Sequence, residues 1–156
     1  MALGGADYHG YFYARIDQAV NRVQVSAPGR EGIMAGLRQG RVQIAASPSA
    51  AWLDVAVDGH GIGEALSAAG AHRLEIAVEG GKGLELRVFT RDGLMARTRV
   101  GSDRARFEGV LSGDAGEADF VRAELREVRP VFDRAQVIAN PVYLVASPAL
   151  ARKIVP

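Results

Sequence analysis

The spacing of apolar positions changes period once along this chain, within Gly32-Ile33-Met34-Ala35-Gly36-Leu37-Arg38-Gln39-Gly40-Arg41-Val42. Ile33, Met34 and Leu37 fall on one helical face by i,i+3 and i,i+4 spacing. Gly40 suits the position just past a helix end, because it takes positive φ without a Cβ clash. Ser26 or Ala27 near the cap and Pro28 near the first helical position would open a helix of two to three turns. From Arg41 the period becomes two. Val42 and Ile44 alternate with Arg41 and Gln43, and Ser47-Pro48-Ser49 breaks that strand. Leu53, Val55 and Val57 alternate with Trp52 and Asp54 up to an Asp58-Gly59 turn. Leu74, Ile76 and Val78 form the next apolar face, and Gly80-Gly81-Lys82-Gly83 leads back into Leu84, Leu86 and Val88. Asp92-Gly93 suits a type I′ turn joining a strand that ends near Arg91 to one over 94–100.

Segments 105–111 and 120–128 continue the pattern. Residues 130–134 read as a loop, and a last strand over about 136–145 contains Asn140-Pro141, which favours an edge or a bulge. Residues 59–71 read as a loop or one helical turn around Ala65–Ala69. Ahead of the helix, the Gly- and Tyr-rich residues 1–14 read as loop, 15–21 as a helical turn with Ile16 and Val20 on one side, and Val23-Gln24-Val25 as a short strand. About eight strands at roughly ten-residue spacing predict a mainly β chain, an immunoglobulin-like antiparallel β-sandwich with an N-terminal α/β appendage. A barrel is the competing architecture. The expected division is an appendage over 1–47 and a sandwich over 48–156.

Composition narrows this little. The chain has 156 residues, 48% of them apolar, which is a folding composition for one ordinary domain. Its 19 basic and 18 acidic residues nearly cancel, and no Lys/Arg block exceeds Arg152-Lys153, so no nucleic-acid partner is expected. With no cysteine, neither disulfides nor thiolate metal sites are available. No apolar run approaches the ~20 residues of a membrane span. Residues 1–10 carry no signal-peptide pattern; a cytoplasmic location, an exported precursor and a homo-oligomer all stay open.

Candidate chemistry is sparse. Asp7-Tyr8-His9 puts a carboxylate and an imidazole on one side of extended backbone, a spacing that suits two ligands of a metal centre. A closed site needs three or four ligands, so a self-contained one is not expected. His60 and His72 read as solvated loop residues. Gly59-His60-Gly61-Ile62-Gly63 lacks the spacing and the Lys-Ser/Thr of a phosphate loop, and no Gly-x-Ser-x-Gly elbow offers a hydrolase nucleophile. Glu75, Glu79, Glu85 and Glu124 share a polar parity, expected to be a solvated face where Arg87, Arg122 and Arg126 pair with them across strands. Trp52 has the parity of Asp54. It should leave the core and either cover the sheet against the N-terminal segment or act as a partner- or sugar-stacking surface.

Three separated pieces carry a family resemblance. Gly5-Ala6-Asp7-Tyr8-His9-Gly10 resembles the final Gly-Ser-Asp-x-His metal motif of PHP-type (polymerase and histidinol phosphatase) metallohydrolases, with Ala6 in place of the Ser. Glu31–Val42 resembles the helix-to-strand segment that closes their barrel. Phe120-Val121-Arg122-Ala123-Glu124-Leu125 with Ala139-Asn140-Pro141-Val142-Tyr143-Leu144 is similar to the ending of the C-terminal β-domain in the CehA/McbA-like branch. The resemblance implies a parent metal-dependent phosphoesterase or related hydrolase using manganese, zinc or iron, in which Asp7 and His9 would be metal ligands of the complete site and no catalytic residue lies in this chain. The family's His-x-His pair, bridging Glu and middle histidines have no counterpart here. The chain is therefore expected to be a non-catalytic C-terminal accessory domain, inactive alone and carrying no cofactor of its own, with the upstream PHP barrel as partner and 1–47 as the barrel's remnant. The alternative is an independent glycan- or protein-binding β-sandwich module centred on Trp52. Ile33, Met34 and Leu37, which would have packed on a barrel, are expected to find a substitute surface on the sandwich.

Overall fold

The computed structural model describes residues 3–4, 19–113, 117–131 and 133–146. Asp7 and His9, and with them the 5–18 portion of the expected N-terminal loop and helical turn, lie outside the described residues. Among the described residues twelve strands and one helix follow in the order β1 (Val20–Val23), α1 (Arg30–Arg38), β2 (Val42–Ala45), β3 (Trp52–Val57), β4 (His60–Gly61), β5 (Ala65–Ser67), β6 (Gly70–Glu79), β7 (Glu85–Thr90), β8 (Gly93–Arg99), β9 (Arg104–Gly113), β10 (Asp119–Val128), β11 (Asp133–Ala139) and β12 (Val142–Val145).

The strands make a mainly β, sandwich-like fold of two sheets. In the larger sheet β10 is central, pairing with β7 on one edge and with β11 and then β12 on the other. β8 extends beyond β7, β2 and β1 extend beyond β11, and β5 runs parallel to β12. That parallel pair departs from the all-antiparallel expectation. The smaller sheet has the order β4-β3-β6-β9. Strand alternation works as the period-two pattern requires. Leu53, Val55, Val57, Leu74, Ile76 and Val78 from the small sheet meet Leu86, Val88, Val121, Ala123, Leu125, Val137 and Leu144 from the large one, all nearly solvent-free. Each fully buried Leu or Val contributes about 1.5–3 kcal/mol relative to exposure.

Local chemistry explains where the elements differ from expectation. Both Asp58 and Gly59 have positive φ, 48° and 79°, and Val57 opposes His60, so the type I′ hairpin loop is Asp58-Gly59. Around Asp92-Gly93, Thr90 opposes Gly93 and only Gly93 has positive φ. The loop there is Arg91-Asp92, and a register shift at Val88/Phe89 marks the bulge that takes up the extra residue. Residues 59–71 hold β4 and β5 instead of a helical turn, because β5 finds the free edge of β12. β1 begins at Val20, ahead of the expected Val23–Val25 strand, and β11 begins at Asp133, inside the expected loop. The last strand divides at Asn140-Pro141. Pro141 sits at this break between two paired strands, and its carbonyl accepts from the Gly63 N–H at 2.8 Å. Asn140 Nδ2 donates to the Gly40 carbonyl, tying the break to the helix end.

The helix stops as expected and starts later than expected. Gly40 (φ 70°) donates to Leu37 O and Arg41 N–H to Gly36 O, the paired bonds of a Schellman motif. Its N-cap is Gly29 rather than Ser26 or Ala27, with no side-chain cap. The helix packs closest through its glycines, and of its three large apolar residues only Leu37 is half-buried. Gly32 and Gly36 are buried, while Ile33 is 46% and Met34 39% exposed. A Cβ on Gly36 would lie 2.5 Å from Gln24 O and 2.6 Å from Val23 Cγ1, and one on Gly32 1.9 Å from Ala27 O. The close backbone approach leaves no room for a side chain, so the expectation that Ile33 and Met34 pack on the sandwich is overturned. The N-terminal residues described do dock there: Gly4 exchanges two 2.9 Å hydrogen bonds with the Asn21 side chain and lies against Ile44.

Candidate functional site

Trp52 opens β3 and, like Asp54 and Ala56, points away from the core, opposite Glu79 of β6. It is 56% exposed. One flank is covered: the Arg22 guanidinium carbon lies 4.2 Å from the ring centroid. Arg22 is held there by donating to the Ala50 and Ala51 carbonyls at 2.6 Å and to Pro48 O at 3.2 Å. Its partial burial lowers its pKa from the ordinary arginine value, and three carbonyl acceptors compensate. The ring thus meets the N-terminal region through Arg22, yet most of it stays open.

Beside the ring runs a groove of about 330 Å³, lined by Gln24, Gln43, Trp52, Leu53, Asp54, Ala77 and Glu79. It lies where the Gln43 side chain of β2 reaches the start of β3. A second hollow of about 230 Å³ continues from Asp54 and Ala77 to Ala56, Glu75, Arg106 and Glu108. Alanines at 56 and 77 make the trough, since their larger neighbours stand above it. Gln43 was expected on a polar parity and is instead 3% exposed. Its Nε2 donates to the Leu53 carbonyl, which leaves Oε1 buried with no donor. Glu79 has Arg104 at 3.8 Å.

Two further polar clusters carry charge. His72, expected to be solvated, is buried at 6%; its Nδ1 is 2.8 Å from Asp58 Oδ2, and Asp58 Oδ1 accepts from the Arg73 N–H at 2.8 Å. The hydrogen bond from His72 first, then that from Arg73, hold the Asp58 carboxyl below the usual aspartate range. His60 stays exposed in the short β4. Among the described residues His72 Nε2 is buried without a partner, and the bonds from His72 and the Arg73 N–H to Asp58 clasp the Asp58-Gly59 hairpin to β6.

On the outer face of the large sheet, Glu124 is 4% exposed and bridges Arg122 (2.7 Å) and Arg126 (2.8 Å). Arg87 bonds Glu85 and Asp133, each at 2.6 Å, and these partners raise its pKa. The expected Arg–carboxylate pairing is present, but largely between i and i+2 along a strand. Glu124 is enclosed by the arginine stems, not solvated as expected.

Of the sequence-expected site residues, only Trp52 is placed, and it gathers Arg22, Gln24, Gln43, Asp54 and Glu79, which sequence reasoning did not single out. Nothing in strand alternation marks a buried Gln43 or an arginine 30 positions upstream that reaches a ring. Among the described residues no group of three or more His, Cys, Asp or Glu side chains is placed to hold a metal ion; Asp7 and His9, the ligands the resemblance implies, lie outside them. No helix among them is long and apolar enough to cross a membrane. No protein-family model, curated protein or solved structure matches the chain.

Proposed function

We propose that this chain is a non-catalytic accessory β-sandwich domain of a PHP-type metal-dependent hydrolase, and that α1 is the face by which it seats against the catalytic barrel. In this reading the sandwich is immunoglobulin-like, residues 1–47 are the remnant of the barrel's end, and Asp7 and His9 contribute ligands only to a complete site in the parent, for manganese, zinc or iron. The observation that carries the proposal is the inverted packing of α1. A helix with Ile33 and Met34 on its surface and Gly32 and Gly36 underneath turns its large apolar side chains outward, available to a partner. Exposed apolar patches mark interaction faces when they are contiguous. The order of the three resembling segments along the chain supports the same parent.

The test is association. This chain is mixed with a separately expressed CehA/McbA-like PHP barrel and followed by analytical ultracentrifugation. The proposal predicts a complex that the Ile33→Glu/Met34→Glu double variant abolishes while its circular dichroism is unchanged. No complex, or one indifferent to those substitutions, refutes it.

A further inference from the structure

We propose that the groove beside Trp52 is a binding site for a neutral saccharide, independent of the docking role of α1. The half-exposed indole offers a flat π-face, whose negative quadrupole attracts the slightly positive C–H edge groups of a pyranose. Arg22 stacks at 4.2 Å from the ring centroid and is tied to three backbone carbonyls, so the ring is fixed before any ligand arrives. A preformed platform avoids an ordering cost on binding.

The polar lining selects the ligand class. Asp54 and Glu79 bring carboxylates, which when ionised only accept hydrogen bonds. Gln43, 3% exposed, adds an Oε1 with no donor among the described residues. A buried acceptor left without a donor is costly, about 1–3 kcal/mol, and calls for an incoming N–H or O–H. The site therefore wants a ligand with many donors and a flat apolar side. Charge decides between hydroxyls and ammonium groups: Asp54 and Glu79 are balanced by Arg22 and by Arg104, which lies 3.8 Å from Glu79. With the local charge cancelled, neither a cation nor a polyanion is favoured, and a neutral polyol ring fits. The volume, about 330 Å³, lies at the small end of ligand sites, ~300–1,000 Å³, and the continuation past Ala77 toward Ala56 leaves room for a chain of rings.

Trp52 is the sole tryptophan, so its emission reports on this site alone. The full chain is titrated with cellohexaose, xylohexaose, mannohexaose and maltohexaose, following fluorescence and amide shifts, with choline as the cationic control. The expected result is a saturable emission change with at least one hexasaccharide, with shifts confined to Trp52, Asp54, Ala77, Glu79 and the Gln43 side-chain amide. Trp52→Ala, exposed enough to leave the fold intact, should weaken binding about tenfold or more, equivalent to about 1.4 kcal/mol. Glu79→Gln should weaken it several-fold with the same thermal midpoint. Silence with all four sugars, binding of choline in their place, or sugar binding that survives Trp52→Ala overturns the proposal.

Discussion

Exchanging side chains between the two faces of α1 should invert the usual effects of helix mutations. On an ordinary amphipathic helix, Gly→Ala stabilises by about 1 kcal/mol, while truncating a core Ile or Met to Ala costs about 2–5 kcal/mol. Here the buried positions are Gly32 and Gly36. The Cβ of Gly36→Ala would stand 2.5 Å from Gln24 O, about 1 Å inside ordinary contact. Gln24 cannot retreat freely, because its N–H is bonded to Arg41 O at 2.9 Å. Overpacking of this kind costs about 1–3 kcal/mol; set against the propensity gain, Gly36→Ala should destabilise by about 1–2 kcal/mol. Gly32→Ala, meeting a backbone oxygen at 1.9 Å, should cost more. Ile33→Ala and Met34→Ala remove half-exposed side chains and should each cost under about 1 kcal/mol, since little transfer energy is lost. Urea denaturation followed by circular dichroism and Trp52 fluorescence measures this, comparing midpoints at a shared slope. A stabilising Gly36→Ala together with losses above about 2 kcal/mol for Ile33→Ala or Met34→Ala would refute the packing and the docking face built on it.

Other perturbations probe the polar clusters. Asp58 has a folded pKa below its unfolded value of about 3.9, so its contribution is complete above that value and is lost as pH falls through the folded one. Asp58→Asn, which tolerates the positive φ, should keep the hairpin but flatten the acid limb of a stability–pH curve below about pH 4; an unchanged limb contradicts the clasp. Glu124→Ala strands two arginines and should cost about 2–3 kcal/mol, less than the ~3–5 of a fully buried pair because both arginines are partly exposed; thermal unfolding showing no loss contradicts the bridge. Asn140→Ala removes the 3.1 Å bond to Gly40 O and should cost about 1–2 kcal/mol, with faster amide exchange at the helix end as its signature.

Much of the fold was legible because burial imposes a period. Leu53-Val55-Val57 and Leu74-Ile76-Val78 alternate along antiparallel partners, and the structure pairs them register for register. Gly40 was legible because a residue without a Cβ takes positive φ at the least cost. Features set by contacts distant in sequence were not. β5 exists because β12 offers it an edge, and a two-residue loop sits at Arg91-Asp92 because a bulge shifts the register. The spacing of Ile33, Met34 and Leu37 located a helical face correctly but did not say which face turns inward. That depends on how closely Val23 and Gln24 approach, and glycine's lack of a side chain decided it. The same limit applies to the groove: Trp52 was visible as an outward residue, while Arg22 and Gln43 reach it from β1 and β2 of the other sheet.

In the proposed function this chain would serve a catalytic partner and perform no hydrolysis itself. That role is tested most directly by metal content and turnover of the purified full chain, supplied in turn with manganese, zinc and iron(II) and assayed on p-nitrophenyl phosphate and bis-p-nitrophenyl phosphate. Substoichiometric metal and no turnover above the metal-only control are expected. Stoichiometric metal with phosphoester turnover that disappears in Asp7→Ala would contradict it.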